Sequence, residues 1–121
     1  MVKKGRSREY RNSLFNSAFA LLILLTVLFL HERVFSAFIL LIIFSAIALI
    51  KWKSKITLIV YLICGIIGPL AESIAIQFGI WSYSNSSIFD VPLWLFPLWG
   101  AAGVFIYQTS VEIRRLHLAR K

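Results

Sequence analysis

The sequence predicts an all-α, polytopic integral membrane protein with four transmembrane helices and with its N- and C-termini on the same, inner side. Two observations indicate this class, namely long apolar runs and a regular distribution of basic residues. The 121-residue chain is 60% apolar and only 15% charged. A soluble domain of this size has too little interior to bury so many apolar side chains.

Four apolar runs are each close to the length of about 20 residues that a helix needs to cross hydrocarbon. They cover approximately residues 13–30, 34–50, 56–81 and 92–113. Short polar stretches separate the runs, so the sequence predicts a single domain over residues 1–121.

Basic residues change sides with each predicted crossing. They precede the first run, fill the connection between the second and third runs, and follow the fourth, whereas the other two connections hold a single lysine or arginine, Arg33. Basic residues are enriched in cytoplasmic connections, so both termini are predicted to be cytoplasmic in a multi-pass protein of the cell membrane. Attraction to anionic lipid head groups explains the net charge of +8, and no nucleic-acid partner is predicted.

The first two runs consist mainly of Leu, Ile, Phe, Val and Ala, and the short turn at residues 31–33 makes them a helical hairpin. His31 and Glu32 stand together in that turn, but the other histidine, His117, is predicted on the opposite side of the membrane. The single cysteine, Cys64, lies within an apolar run. The sequence therefore predicts neither a metal site nor a cofactor.

The third run contains Glu72, the one ionisable residue well inside an apolar stretch. It precedes Trp81 by nine residues, which predicts that it lies about 13 Å below the outer membrane interface. A charged group inside hydrocarbon costs about 2.5–3.5 kcal/mol, so such residues usually face a bundle interior and serve a function. Pro69 interrupts the helix nearby. Helical periodicity places Glu72 on one stripe with Tyr61, Gly65, Gly68, Ala75 and Gly79.

The loop after the third run and the start of the fourth run are rich in aromatic residues. Pro97 is predicted to kink the fourth helix next to Trp99. Two adjacent helices that contain proline and glycine are thus predicted to enclose a cleft around Glu72. The aromatic residues predicted to contact a ligand there are Trp81, Tyr83, Trp94, Trp99 and Tyr107.

These spaced residues resemble the core of a known family. The pattern of Glu72, Gly79, Trp81, Tyr83, Val91-Pro92, Trp94, Pro97 and Trp99 is similar to carotenoid-biosynthesis membrane proteins of the bisanhydrobacterioruberin-hydratase type. Their chemistry resembles that of membrane-bound lycopene and terpene cyclases. The resemblance covers about residues 65–100, and family members are longer, with more spans.

The resemblance implies an isoprenoid substrate and acid catalysis. Glu72 would donate a proton to an alkene, and the rings of Tyr83, Trp94 and Trp99 would face the developing cation. Asp90 would hold a water molecule or act as a second carboxylate.

Two hypotheses of different class remain open from the sequence. In the first, the chain binds, and with catalysis transforms, an isoprenoid-like or other lipidic ligand at Glu72. In the second, it is a non-enzymatic membrane subunit whose Glu72 and glycine faces serve helix packing or assembly with a membrane partner or a second copy. A closed Glu72 site favours packing, whereas a site open to lipid or to the outer face favours a ligand.

Overall fold

The computed structural model describes residues 2–83, 86 and 89–120, which form α-helices and no β-strand. The prediction of an all-α protein is therefore confirmed for these residues. The described helices are α1 (Val2–Leu30), α2 (Val34–Trp52), α3 (Lys55–Gln77) and α4 (Leu95–Arg120). The predicted outer loop at residues 82–91 includes positions 84, 85, 87 and 88, which lie outside the described residues.

Three helices in the described part of the chain are long and apolar enough to cross a membrane. The stretches are Tyr10–Leu30, Val34–Trp52 and Lys55–Gln77. Large apolar side chains cover the outside of the molecule, and Phe29 and Phe78 are each 80% exposed. Such a surface is unfavourable in water, so it indicates a membrane protein. α4 carries Glu112, Arg114 and Arg115 towards its C-terminus and is not among the three.

Connections of three and two residues join α1 to α2 and α2 to α3. Lys53 ends α2 in a left-handed conformation (φ 50°), and its N–H donates to the Leu49 carbonyl at 3.1 Å. Ser54 then caps α3, because its hydroxyl accepts from the Thr57 N–H at 3.3 Å. We call the end of the bundle where α2 ends and α3 begins the basic end. Most of the lysines and arginines lie at this end, next to the predicted apolar runs.

α3 ends at Gln77, four residues before the end of the third predicted run. Gly79 has a φ of +77°, and its N–H donates to Ile76 O, while the Ile80 N–H donates to Ala75 O. These two bonds form a glycine C-cap of the Schellman type, which terminates the helix. Gly79 is thus a cap residue and not part of the helix contact that its place in the predicted stripe suggested.

The position of the cap changes the expected depth of Glu72. Glu72 lies five residues before the end of α3, or about 7.5 Å along the helix axis. The sequence-based depth of about 13 Å below Trp81 applies only to a helix that continues to Trp81. Glu72 therefore lies closer to the end of its helix than expected.

α4 begins at Leu95, so Pro97 lies in its first turn. The N–H groups of a first turn have no acceptor within the helix, and a proline there removes no helical hydrogen bond. The predicted kink at Pro97 assumed a helix that began at Pro92 and does not apply to this position. Pro69, by contrast, lies inside α3 as predicted.

α3 and α4 form the most extensive helix contact in the molecule, whereas α2 and α3 barely touch. Glycines of both helices line the contact, and we call them the glycine seam: Gly65, Gly68, Gly100 and Gly103. A Cβ atom at Gly68 would overlap the Trp99 ring, and one at Gly103 would overlap the Cys64 side chain. The close approach of the two helices therefore requires glycine at these positions.

Substitution of Gly68 by leucine is expected to disrupt the α3–α4 contact. The new side chain would occupy the space of the Trp99 ring, and overpacking of this kind costs about 1–3 kcal/mol or more. Ala71→Leu is the matched control, because Ala71 is exposed on the same helix. In thermal unfolding in detergent, Gly68→Leu should lower the unfolding temperature strongly, and Ala71→Leu should change it little. Equal unfolding temperatures for the two variants would contradict close packing at the glycine seam.

Candidate functional site

Glu72 lies at the centre of a cluster that joins three segments of the chain. The Tyr83 hydroxyl donates a hydrogen bond to Glu72 Oε1, and the Trp99 indole Nε1 donates one to Glu72 Oε2. Glu72 belongs to α3, Trp99 to α4, and Tyr83 to the connection between them. We call these three residues the acid–aromatic cluster. Both carboxyl oxygens have a donor, so the carboxyl group is held in one orientation.

The glycine seam positions Trp99 for this bond. Gly68 and Glu72 are four residues apart on α3 and thus lie on the same face, one turn from each other. The Trp99 ring packs on the space left by the missing side chain of Gly68. From there its Nε1 reaches the carboxyl group of Glu72 in the next turn.

Tyr83 is positioned by contacts that fasten the α3–α4 connection. Its ring packs edge-on against Trp94, with 6.1 Å between the ring centroids. The Trp94 Nε1 donates to the carbonyl of His31 in the α1–α2 turn at 3.1 Å. On the other side, the Ser73 hydroxyl donates to the Phe89 carbonyl at 2.7 Å. The connection is therefore tied both to α3 and to the α1–α2 turn.

The environment of Tyr83 keeps its hydroxyl protonated. Burial raises the pKa of Tyr83 above its ordinary value, and the hydrogen bond to Glu72 and the negative charge of that carboxylate raise it further. Tyr83 consequently remains a hydrogen-bond donor to Glu72 throughout the physiological pH range.

The cluster lies at the surface of the α3–α4 pair. Glu72 and Tyr83 are half-buried, and Trp99 is 38% exposed. The glycine seam and the Trp99 ring fill the space between the two helices next to Glu72. Glu72 thus meets two of the predicted aromatic residues, Tyr83 and Trp99, but on an accessible flank and not inside the predicted cleft between α3 and α4.

The structure separates some predicted site residues from the cluster. Trp81 is exposed, and Trp94 is buried and contacts the cluster through the ring of Tyr83. Tyr107 follows Trp99 by eight residues, or about 12 Å of helix, and lines a different cavity at the basic end. Helical periodicity predicts that Tyr107 shares a face of α4 with Trp99, but it does not include the distance between the two residues along the helix axis.

Asp90 is part of a turn. It is exposed, and it and Phe89 both have a positive φ, 66° and 53° respectively. Aspartate tolerates this conformation better than most residues. In the part of the chain that the structure describes, Asp90 makes no hydrogen bond to the acid–aromatic cluster. Its geometry gives no support for a second carboxylate at Glu72.

Sequence reasoning missed a second acid, Glu112, which is only 3% exposed. It ends a buried stripe of α4 whose members follow at helical spacing: Ala101, Val104, Gln108 and Glu112. Gln108 Nε2 in this stripe donates to Thr57 Oγ1 at 2.8 Å and joins α4 to α3. The continuation of an apolar stripe into polar residues is the sequence signal that marks Glu112.

The chain matches no protein-family model, no curated protein and no solved structure. Among the described residues, no group of three or more His, Cys, Asp or Glu side chains is placed to hold a metal ion.

Removal of the Tyr83 hydroxyl is expected to weaken the fold. Tyr83→Phe removes the hydrogen bond to a half-buried Glu72 oxygen, and a typical bond of this kind contributes about 0.5–1.5 kcal/mol net. Tyr10→Phe, at an exposed tyrosine of α1, is the matched control. Thermal unfolding of both variants in detergent measures the difference, and equal stability would contradict a structural role for this bond.

The pH dependence of this effect has a defined sign. Because the pKa of Tyr83 is raised in the folded state, its contribution is present in full below about pH 10, the ordinary tyrosine value. The contribution declines as the pH rises above that value. The stability difference between wild type and Tyr83→Phe should therefore be constant at neutral pH and decrease only in strong alkali.

Proposed function

We propose that this chain is a four-span protein of the cell membrane that binds the polar end of a lipidic ligand at the acid–aromatic cluster. The ligand class suggested by the sequence resemblance is an isoprenoid with a hydroxyl or similar head group. α4 serves as the fourth span, and both termini are cytoplasmic. The distribution of basic residues supports this orientation.

One observation carries the proposal. A carboxyl group within an apolar helix is fixed by two aromatic donors on a flank of the molecule where Trp99 remains partly exposed. Ligand sites commonly combine apolar and aromatic walls with a few oriented polar groups. Ile76 follows Glu72 by one turn on the same face of α3 and provides apolar surface beside the carboxyl group.

The chemistry of the cluster suits a small hydroxylated head group. A ligand hydroxyl can donate to a Glu72 oxygen and accept from the Tyr83 hydroxyl, thereby inserting into the existing bond. Trp99 then keeps the carboxyl oriented from its other side. The indole face offers a surface on which an unsaturated chain can pack.

The proposal extends to binding and not to turnover. Proton transfer to an alkene would require a proton on Glu72 and direct access of the alkene to a carboxyl oxygen. Both oxygens are engaged by protein donors. The acid catalysis implied by the resemblance would thus need a rearrangement of the cluster first.

A second candidate function is packing and assembly without a ligand. The bonds of Glu72 join α3, α4 and their connection, and the glycine seam closes the contact between these helices. On this hypothesis Glu72 stabilises the bundle, and the exposed apolar surface meets a membrane partner or a second copy of the chain.

The two functions predict different effects of Glu72→Gln. If the cluster binds a ligand, the purified wild type should carry a lipid that is enriched relative to the membrane, and Glu72→Gln should lose most of it. Mass spectrometry of lipids extracted from the purified proteins measures this enrichment. Glu32→Gln is the matched control, because the Glu32 side chain is 80% exposed in the α1–α2 turn.

The packing hypothesis predicts a loss of stability without a change in bound lipid. Glu72→Gln would lower the unfolding temperature, while the extracted lipids of wild type and variant would be the same. Identical lipid profiles in wild type and both variants would therefore refute the ligand site.

Topology is tested separately by cysteine labelling. In a Cys64→Ala background, Ser86→Cys is expected to react with a membrane-impermeant maleimide added outside intact cells, whereas Lys55→Cys should react only after lysis. Both positions are exposed and lie at opposite ends of the molecule. The reverse pattern would overturn the proposed orientation.

A further inference from the structure

The interior of the bundle changes from apolar to polar towards the basic end. Each helix contributes at least one buried polar group to this part of the interior: Asn16 in α1, Ser45 in α2, Thr57 and Tyr61 in α3, and Gln108 and Glu112 in α4. Further from the basic end the side chains are apolar. Leu41 lies one turn beyond Ser45, Val104 lies one turn beyond Gln108, and both apolar residues are fully buried. The polar part of the interior therefore ends at packed apolar side chains on these two helices.

Several of these polar groups have no hydrogen-bond partner in the part of the chain that the structure describes. Asn16 is the clearest case, because it is only 1% exposed and both its amide oxygen and its amide nitrogen are unpaired. The hydroxyl groups of Ser45 and Tyr61 are neighbours, yet each is buried without a partner. Burial without a hydrogen bond is unfavourable for every one of these groups. They therefore require a partner that enters the interior.

A cavity of about 250 Å³ at the basic end leads towards these groups. Its lining includes Asn12 of α1 and Thr57 of α3. Asn16 and Tyr61 follow these two residues by four positions each, so they lie on the same helix faces, about 6 Å deeper along the helices. The unpartnered groups thus begin one helical turn beyond the lining of the cavity.

The chemistry of the unpartnered groups favours a neutral ligand that both donates and accepts hydrogen bonds. The amide of Asn16 has donors and an acceptor, and the hydroxyls of Ser45 and Tyr61 can each do both. A bare cation would leave the Asn16 nitrogen without an acceptor, and an anion would leave its oxygen without a donor. Water meets both needs, and a buried water typically makes about three hydrogen bonds to polar groups that would otherwise be unpaired.

We infer that water fills this part of the interior, from the cavity at the basic end to Ser45 and Tyr61. We call the filled space the polar vestibule. Asn16, Ser45 and Tyr61 all belong to stretches that are long and apolar enough to cross a membrane. Polar groups at such positions are tolerated where they line a water-filled space. The vestibule is thus a half-channel that gives water access to the inside of the bundle from one end. It does not depend on the function proposed for Glu72, which lies towards the other end of α3.

The reactivity of introduced cysteines with a small uncharged maleimide tests the vestibule. The reactive species is the thiolate, which forms in water and is suppressed in apolar surroundings. In a Cys64→Ala background, Ser45→Cys should react about tenfold faster than Ala37→Cys or Ile47→Cys. Ala37 belongs to the same buried stripe of α2 as Ser45, and Ile47 is 58% exposed on the outside of that helix. The measurement uses membranes of lysed cells, where both membrane faces meet the reagent, so the result is independent of topology.

A dry interior gives the opposite result. If the polar side chains pair with one another and exclude water, Ser45→Cys will react no faster than Ala37→Cys, and the inference is then wrong. Asn16→Leu provides a second measurement that needs no thiol. Where water satisfies the amide, this change should not raise the unfolding temperature in detergent. An increase would mean that the amide is buried without a partner, and it would equally rule out the vestibule.

Discussion

The close approach of α3 and α4 is the constraint on which the described site depends. Glycines at positions 68 and 103 leave space that the Trp99 ring and the Cys64 side chain fill from the opposite helix. Once Trp99 lies on Gly68, its indole N–H meets the carboxyl of Glu72 one turn further along α3. The packing of small residues thus determines the orientation of the acid, and a polar interaction is built on a steric one.

Sequence reasoning was most successful where helix geometry alone decides the result. The sequence predicted that Glu72 and Trp99 would belong to one site between two adjacent helices, and in the structure a hydrogen bond joins them. Helix ends were less predictable, because the left-handed Gly79 cap and the start of α4 at Leu95 are set by local backbone conformation. Those ends determine the depth of Glu72 and the first-turn position of Pro97.

The site was only partly predictable for a related reason. Periodicity identifies which face of a helix a side chain occupies, but tertiary contacts decide what it meets. Tyr107 shares a helical face with Trp99 and yet lines the cavity at the basic end. Glu112 lies at the end of the fourth predicted run, close to Arg114 and Arg115, so its sequence context resembles a solvated terminus. Its burial follows from the contact of α4 with α1 and α3, which the sequence does not specify.

The two donors of Glu72 differ in how firmly the fold holds them, and this difference bears on the proposed ligand site. Trp99 lies within α4, and its ring is fixed by the glycine seam. Tyr83 belongs to a connecting segment, whose local openings cost less free energy than those of a packed helix. A ligand hydroxyl that enters beside Glu72 would therefore displace the Tyr83 bond in preference to the Trp99 bond. Trp99 would keep the carboxyl aligned throughout, and Tyr83, which remains protonated, would be available to donate to the ligand.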